Sequence, residues 1–195
     1  MKIVQTGEPV LREHTRPLSK TQIQSREIQT LIESMREAMY EAPGVGLAAP
    51  QVGVGIQLAV IEDKPDYTRD VEPEYLAERE RKPVPFHVII NPQLSMQGPA
   101  NVEFFEGCLS LPGFTACVAR ARKVKVDCLD HHGEAKVIEA SGWYARILQH
   151  EIDHLTGTLY IDRMYTRSFM NVDNFTRFWK NKSRAEIKAL VKRKP

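Results

Sequence analysis

The chain has 195 residues, 42% of them hydrophobic and 27% charged, with a formal net charge of +2. That balance suits one domain with a single sizeable core and excludes a chain left disordered for want of apolar surface. Its longest apolar runs, such as Val88-Ile89-Ile90, are far shorter than the roughly 18 residues that a membrane-spanning helix needs.

Met1 to Gly7 carries neither an apolar stretch nor an Arg/Ser-rich presequence. The three cysteines, Cys108, Cys117 and Cys128, cannot all pair, so a reducing, cytoplasmic setting is expected. Ile28, Leu31, Ile32, Met35 and Met39 recur at three- and four-residue spacing, which predicts a helix from Gln22 to Glu41, ended by Pro43-Gly44. A loop of small residues follows from Gly44 to Gln51, then a strand from Ile56 to Ile61. Glu62 to Pro85 is dense in charge and holds Pro65, Pro73, Pro83 and Pro85, so it reads as an exposed excursion. Phe86 to Ile90 resumes a β pattern. Val118 to Leu129 alternates, with Val124 and Val126 set against Lys123, Lys125 and Asp127, and is expected to be one strand. Asp130 to Glu134, with Gly133, turns into a partner strand at Ala135 to Ala140. Helical spacing returns from Gly142 to Leu155, placing Trp143, Ile147, His150 and His154 on one face, with Gly157 as the stop. Two hairpin signals without βαβ alternation give an α+β fold of mainly antiparallel strands.

Charge is unevenly placed. Thr176 to Pro195 holds eight Lys/Arg against Glu186 alone, a net +7, which leaves −5 on the rest. Ile187, Leu190 and Val191 fall at helical spacing there, so a basic amphipathic C-terminal helix is expected. The domain reading is a catalytic unit at 1–175 and a basic extension at 176–195, where an anionic partner would meet the chain.

His150-Glu151-Ile152-Asp153-His154 carries the chemistry. Two histidines four apart on a helix project side by side, as two ligands of one metal require, and the intervening glutamate can reach water at that metal as a base. The helix of this motif is expected to lie at the centre, with the strands packed around it. A hydrolytic site needs a third protein ligand and an open position. Asp162, Asp173 and Cys108 are the candidates, the last within Glu106-Gly107-Cys108-Leu109-Ser110. Cys117 and Cys128 read as small buried hydrophobes. Glu106 and Arg120 read as an ion pair bracing the Cys108 segment, with ordinary surface charge an equally open reading.

Gly44 to Gln51, Glu106 to Ser110 and Gln149 to Leu155 together resemble the three signature motifs of peptide deformylases, in that family's order and spacing, over about Val4 to Arg163. The resemblance implies that Cys108, His150 and His154 hold one divalent metal per chain, Fe(II) in many members, with Zn, Ni or Co also accepted by such a donor set. It implies that Glu151 is the general base and that the Gln51 amide and the Leu109 backbone N–H meet the oxyanion. The substrate would be the N-formyl-methionyl end of a nascent peptide, its methionine side chain among Val45, Phe104, Trp143 and Ile147 and its backbone paired with Gly46. The basic tail would then face the ribosome, and no membrane partner is expected. Two competing readings are a zinc peptidase using Asp173 as third ligand, and an RNA- or ribosome-binding module with a structural metal. The Cys108 motif and the Gly44–Gln51 loop speak against the first. An open coordination position beside Glu151 speaks against the second.

Overall fold

A computed structural model describes residues 1–191; Lys192, Arg193, Lys194 and Pro195 of the basic segment lie outside the described residues. The strands run in chain order as β1 (Gly46–Ala48), β2 (Leu58–Asp63), β3 (Val84–Met96), β4 (Ala100–Cys108), β5 (Leu111–Ala121), β6 (Lys123–Leu129), β7 (Ala135–Ser141) and β8 (Met170–Asn171). The helices are α1 (Lys20–Ile23), α2 (Arg26–Glu41), α3 (Pro73–Arg79), α4 (Gly142–Leu155), α5 (Tyr160–Arg163), α6 (Val172–Phe178) and α7 (Arg184–Val191). One sheet has the order β1-β2-β3-β6-β7 and the other β4-β5-β8, and every pairing in both is antiparallel. The expected α+β class holds.

The larger sheet is covered on both faces. Leu47, Leu58, Val60, Val88 and Ile90 meet Ile28, Ile32, Met35 and Met39 of α2. Their neighbours Ala48, Ala59, Ile61 and Ile89 point the other way, onto Ala145, Leu148 and Ile152 of α4. Side chains alternate across a strand, so a strand buried on both faces must be apolar at every position, as Leu58 to Ile61 is. Helix α4 therefore lies between this sheet and the smaller one.

Four sequence expectations change. The helix predicted from Gln22 is two helices, because the Ser25 hydroxyl accepts from the Ile28 N–H at 3.3 Å and starts α2 anew. The apolar spacing runs through this cap unbroken, which hides it. The strand predicted from Val118 to Leu129 is β5 and β6, in different sheets, with the chain crossing at Arg122. Ala116, Cys117 and Val118 are all buried, so β5 has no polar face, and the exposed pair Arg122-Lys123 breaks the alternation between the two. The charged excursion is tied back to the body rather than exposed throughout. Arg79 is buried, its guanidinium 3.2 Å from the Tyr75 ring centre and 4.5 Å from that of Phe104. Arg81 makes two 2.8 Å bonds to the buried Asp63. Guanidinium planes pack on rings and fork onto carboxylates, so charge density alone misplaces such a segment.

Last, the boundary expected between residues 175 and 176 falls inside α6. Phe175 and Trp179 both pack against Phe105 of β4, at 4.8 and 5.8 Å between ring centres. Ile187 and Val191 of α7 are buried with Cys117, while Arg184 and Lys188 approach Glu103 at 3.7 and 3.9 Å.

Candidate metal and catalytic site

The β4–β5 hairpin has a register shift between Glu106 and Cys108. Such bulges re-aim a side chain, and here Cys108 turns toward α4, with its Sγ 3.4 Å from His154 Nε2. His150 and His154 lie one turn apart with ring centres separated by 5.0 Å. The ligand atoms of Cys108, His150 and His154 all fall within 4.8 Å of one another. One thiol and two imidazoles converging from two elements suit a divalent transition ion with a position left for substrate. Asp162 instead pairs with Arg12 and accepts from the Leu159 N–H at 2.7 Å. Asp173 sits exposed in the first turn of α6. Neither aspartate joins the cluster, which corrects the reading that left them open as ligands.

A layer of buried charge stands behind the histidines. His150 Nδ1 lies 3.0 Å from Glu106 Oε2. Arg120 forks onto Glu106 at 3.0 and 2.9 Å and also reaches Asp153, which Arg163 holds through two 2.7 Å bonds. Burial works against the Glu106 charge, but Arg120, His150 and Arg146 overcome it and hold its carboxyl well below the usual range. As a permanent carboxylate it accepts the Nδ1–H of His150, which leaves Nε2 as a lone-pair donor. The Glu106–Arg120 pair is thus buried and directly behind a candidate ligand, not surface charge.

Glu151 is buried, and that burial pushes its carboxyl up to about 7. Its Oε2 has no hydrogen-bond partner among the described residues. It lies against the backbone of Gly46: a Cβ there would stand 2.2 Å from Oε1 and 2.5 Å from the carboxyl carbon. Only glycine admits the base at this place in β1. Gln51 is oriented from behind. Its Oε1 accepts from the Ala48 N–H at 2.9 Å, which turns its NH₂ toward Cys108 Sγ at 3.4 Å and Ser110 Oγ at 3.3 Å.

These groups face a cleft of about 340 Å³. Val45, Gly46, Gln51, Leu109, Trp143 and Ile147 line it, as do Cys108, His150 and Glu151. Phe104 does not. Its ring packs against Trp143, at 6.4 Å between ring centres, and against the Arg146 guanidinium at 5.3 Å, while its neighbour Phe105 borders the cleft. Arg146 and Phe114 also border the cleft without having been anticipated. Arg146 falls on the predicted inner face of α4, four residues before His150, and that position was the available signal.

The family model for polypeptide deformylase matches residues 1–169. Peptide deformylase 1A, chloroplastic, of Solanum lycopersicum is 47% identical over 88% of this chain and 62% of its own length. Peptide deformylase 3 of Streptomyces avermitilis is 45% identical over 92% of this chain and 78% of its own. Among solved structures, the Met-Ala-Ser-bound class I type b peptide deformylase of Acinetobacter baumannii superimposes with a TM-score of 0.74 and 32% identity, over 84% of this chain and 98% of that one. The chain spans under two thirds of the tomato relative's length.

Proposed function

Because the chain belongs to the polypeptide deformylase family, we propose that it hydrolyses the formamide at the N-formyl-methionyl end of newly made polypeptides, releasing formate. The observation that carries this reading is the convergence of the Cys108, His150 and His154 ligand atoms beside a cleft that Cys108, His150 and Glu151 line, where one buried Glu151 oxygen has no partner among the described residues. Our assignment of the ion is one divalent metal per chain on those three residues, Fe(II) in the working enzyme, with Zn, Ni and Co also suited to the donor set. When bound, such an ion supplies Lewis acidity, making water more acidic and a carbonyl more electrophilic.

Glu151 takes the proton of the attacking water on a carboxylate oxygen and returns it to the departing amine, the work of a base whose pKa lies near neutrality. The Gln51 NH₂ and the Leu109 N–H donate to the oxygen that gains charge. Val45, Trp143 and Ile147 take the methionine side chain, and the Gly46 backbone pairs with the peptide as an added strand. Gln51→Ala is expected to lower kcat by about 10²–10³-fold with little change in KM, measured on formyl-Met-Ala.

The deciding experiment is formate release from formyl-Met-Ala by the Fe(II)-loaded chain under anaerobic conditions, with acetyl-Met-Ala as control and metal content measured alongside. Formate release with the acetyl peptide untouched, and loss of the ion in Cys108→Ala, are expected. No formate with Fe(II), Co or Ni would reject the reading.

No helix among the described residues is long and apolar enough to cross a membrane. Our compartment assignment is the cytoplasm, on the basis of the three free thiols. For the basic segment from Thr176 to Pro195 we propose docking on ribosomal RNA. The exposed Arg177 and Lys180 suit phosphate contacts, since neither is tied to Glu103 as Arg184 and Lys188 are. Arg177→Glu with Lys180→Glu is expected to abolish ribosome pelleting at moderate salt while turnover of formyl-Met-Ala stays within twofold. Unchanged pelleting at matched salt would leave the segment as a packing element only.

A further inference from the structure

Glu106 accepts as many hydrogen bonds as a carboxylate can. Oε1 takes Arg120 Nε at 3.0 Å and Arg146 Nη1 at 2.5 Å; Oε2 takes Arg120 Nη2 at 2.9 Å and His150 Nδ1 at 3.0 Å. Two oxygens offer about four lone-pair sites, and all four are filled. Arg120 fills two of these sites with its Nε and Nη2 and turns Nη1 to Asp153, so it has no donor left for the remaining lone pairs. The fourth bond comes from Arg146, a guanidinium buried to 3% exposure.

Arg146 has no freedom of its own. Nη1 also donates to the Val118 carbonyl at 3.1 Å and Nη2 to the Val102 carbonyl at 2.5 Å, so it spans the backbones of β4 and β5. Its guanidinium carbon lies 5.3 Å from the Phe104 ring centre and 5.9 Å from that of Trp143. It stands one helical turn before His150, on the same face of α4. A buried charge is retained at a cost unless its bonds are good, and here both terminal nitrogens are bonded.

We propose that Arg146 is a positioning residue for the metal centre: filling the last acceptor site of Glu106, it fixes that carboxylate and thereby the ring of His150. This rests on the metal assignment above and adds to it a residue that touches no ligand directly. Partners one layer out from a metal change affinity by about 10–100-fold. Arg146 acts through such a partner, so a smaller effect, about 3–10-fold, is expected.

The test is a double-mutant cycle on the full chain with Arg146→Met, Glu106→Gln and both together, plus Arg146→Lys, which keeps one donor. Two readouts are used: the dissociation constant and absorption spectrum of Co(II), and the His150 ring ¹⁵N shifts of the metal-free protein. Arg146→Met is expected to weaken Co(II) about 3–10-fold, alter its spectrum and move the His150 Nδ1 resonance. In the Glu106→Gln background it should add nothing, and Arg146→Lys should recover part of the loss. Equal weakening in both backgrounds would make Arg146 mere packing. Tighter Co(II) in Arg146→Met would mean that the ion feels its charge rather than its bond to Glu106, and either result overturns the proposal. If wild type binds no Co(II), the metal assignment falls, while an unmoved His150 resonance still rejects, and a moved one still supports, the positioning role. Should Arg146→Met fail to fold, Arg146→Gln takes its place.

Discussion

Glu151→Gln is expected to lower turnover of formyl-Met peptides by about 10²–10⁴-fold, the usual worth of a general acid–base group. Glutamine keeps the shape of the side chain but cannot take up a proton, so the effect isolates proton transfer. Metal content should stay at one ion per chain, because the converging donors are Cys108, His150 and His154 and do not include Glu151. Thermal stability should hold or rise slightly. Burial pushes this carboxyl up to about 7. The folded chain therefore loses stability as pH rises from the ordinary glutamate range to about 7, and above it bears the full penalty, which a neutral amide avoids. Metal analysis, a melting curve and a formate assay on the same preparation check all three. Near wild-type turnover would remove the base role.

Gly46→Ala is expected to cost about 10²-fold in kcat, comparable to a 1 Å misplacement of a reacting group. The added methyl would stand 2.2, 2.5 and 2.8 Å from the Oε1, Cδ and Cγ of Glu151. Something must move. The backbone of β1 is held in register with β2 through Gly46↔Ile61 and Leu47↔Val60, so the base gives way instead. Gly55→Ala is the control, since a Cβ there meets nothing within 4 Å. The loss should fall on kcat with metal content intact. Equal behaviour of the two alanine variants would show that the approach of Glu151 to β1 has no part in the chemistry.

Helix α4 was legible to its ends, Gly142 and Leu155, because one helical period arranges apolar residues and histidines together. Gly157 past its end has φ +72°, a conformation that favours glycine, as the expected stop requires. The convergence of Cys108 with the two histidines was legible only through the joint pattern of three motifs, since no local rule brings a hairpin to a helix. What stayed hidden is charge that is buried. Arg146 and Asp153 sit in a helix, and the partners that neutralise them, Glu106, Arg120 and Arg163, come from other elements that helical spacing does not reveal. Phe104 and Phe105 could not be told apart because both are apolar and neighbouring β5 is buried on both faces, which erases the period of two. Cys128 fits the bland reading: burial pushes its thiol up to about 11, far from reactive.

The three candidate donors come from two separate elements of the fold. Cys108 ends a strand of the three-stranded sheet, while the histidines ride on the helix packed beneath the five-stranded one. A cation shared among them is therefore a cross-link between two halves of the molecule, and its binding energy counts toward folding. At free ion 1,000-fold above the dissociation constant, mass action adds about 4 kcal/mol, or about 8–16 °C of melting temperature for a chain of this size. Chelation should loosen the hairpin before the doubly covered strands, whose amides would remain protected from hydrogen exchange. On the proposed metal assignment, metallation would act as a clasp in assembly: the chain would gain an increment of rigidity in the same event that makes it competent.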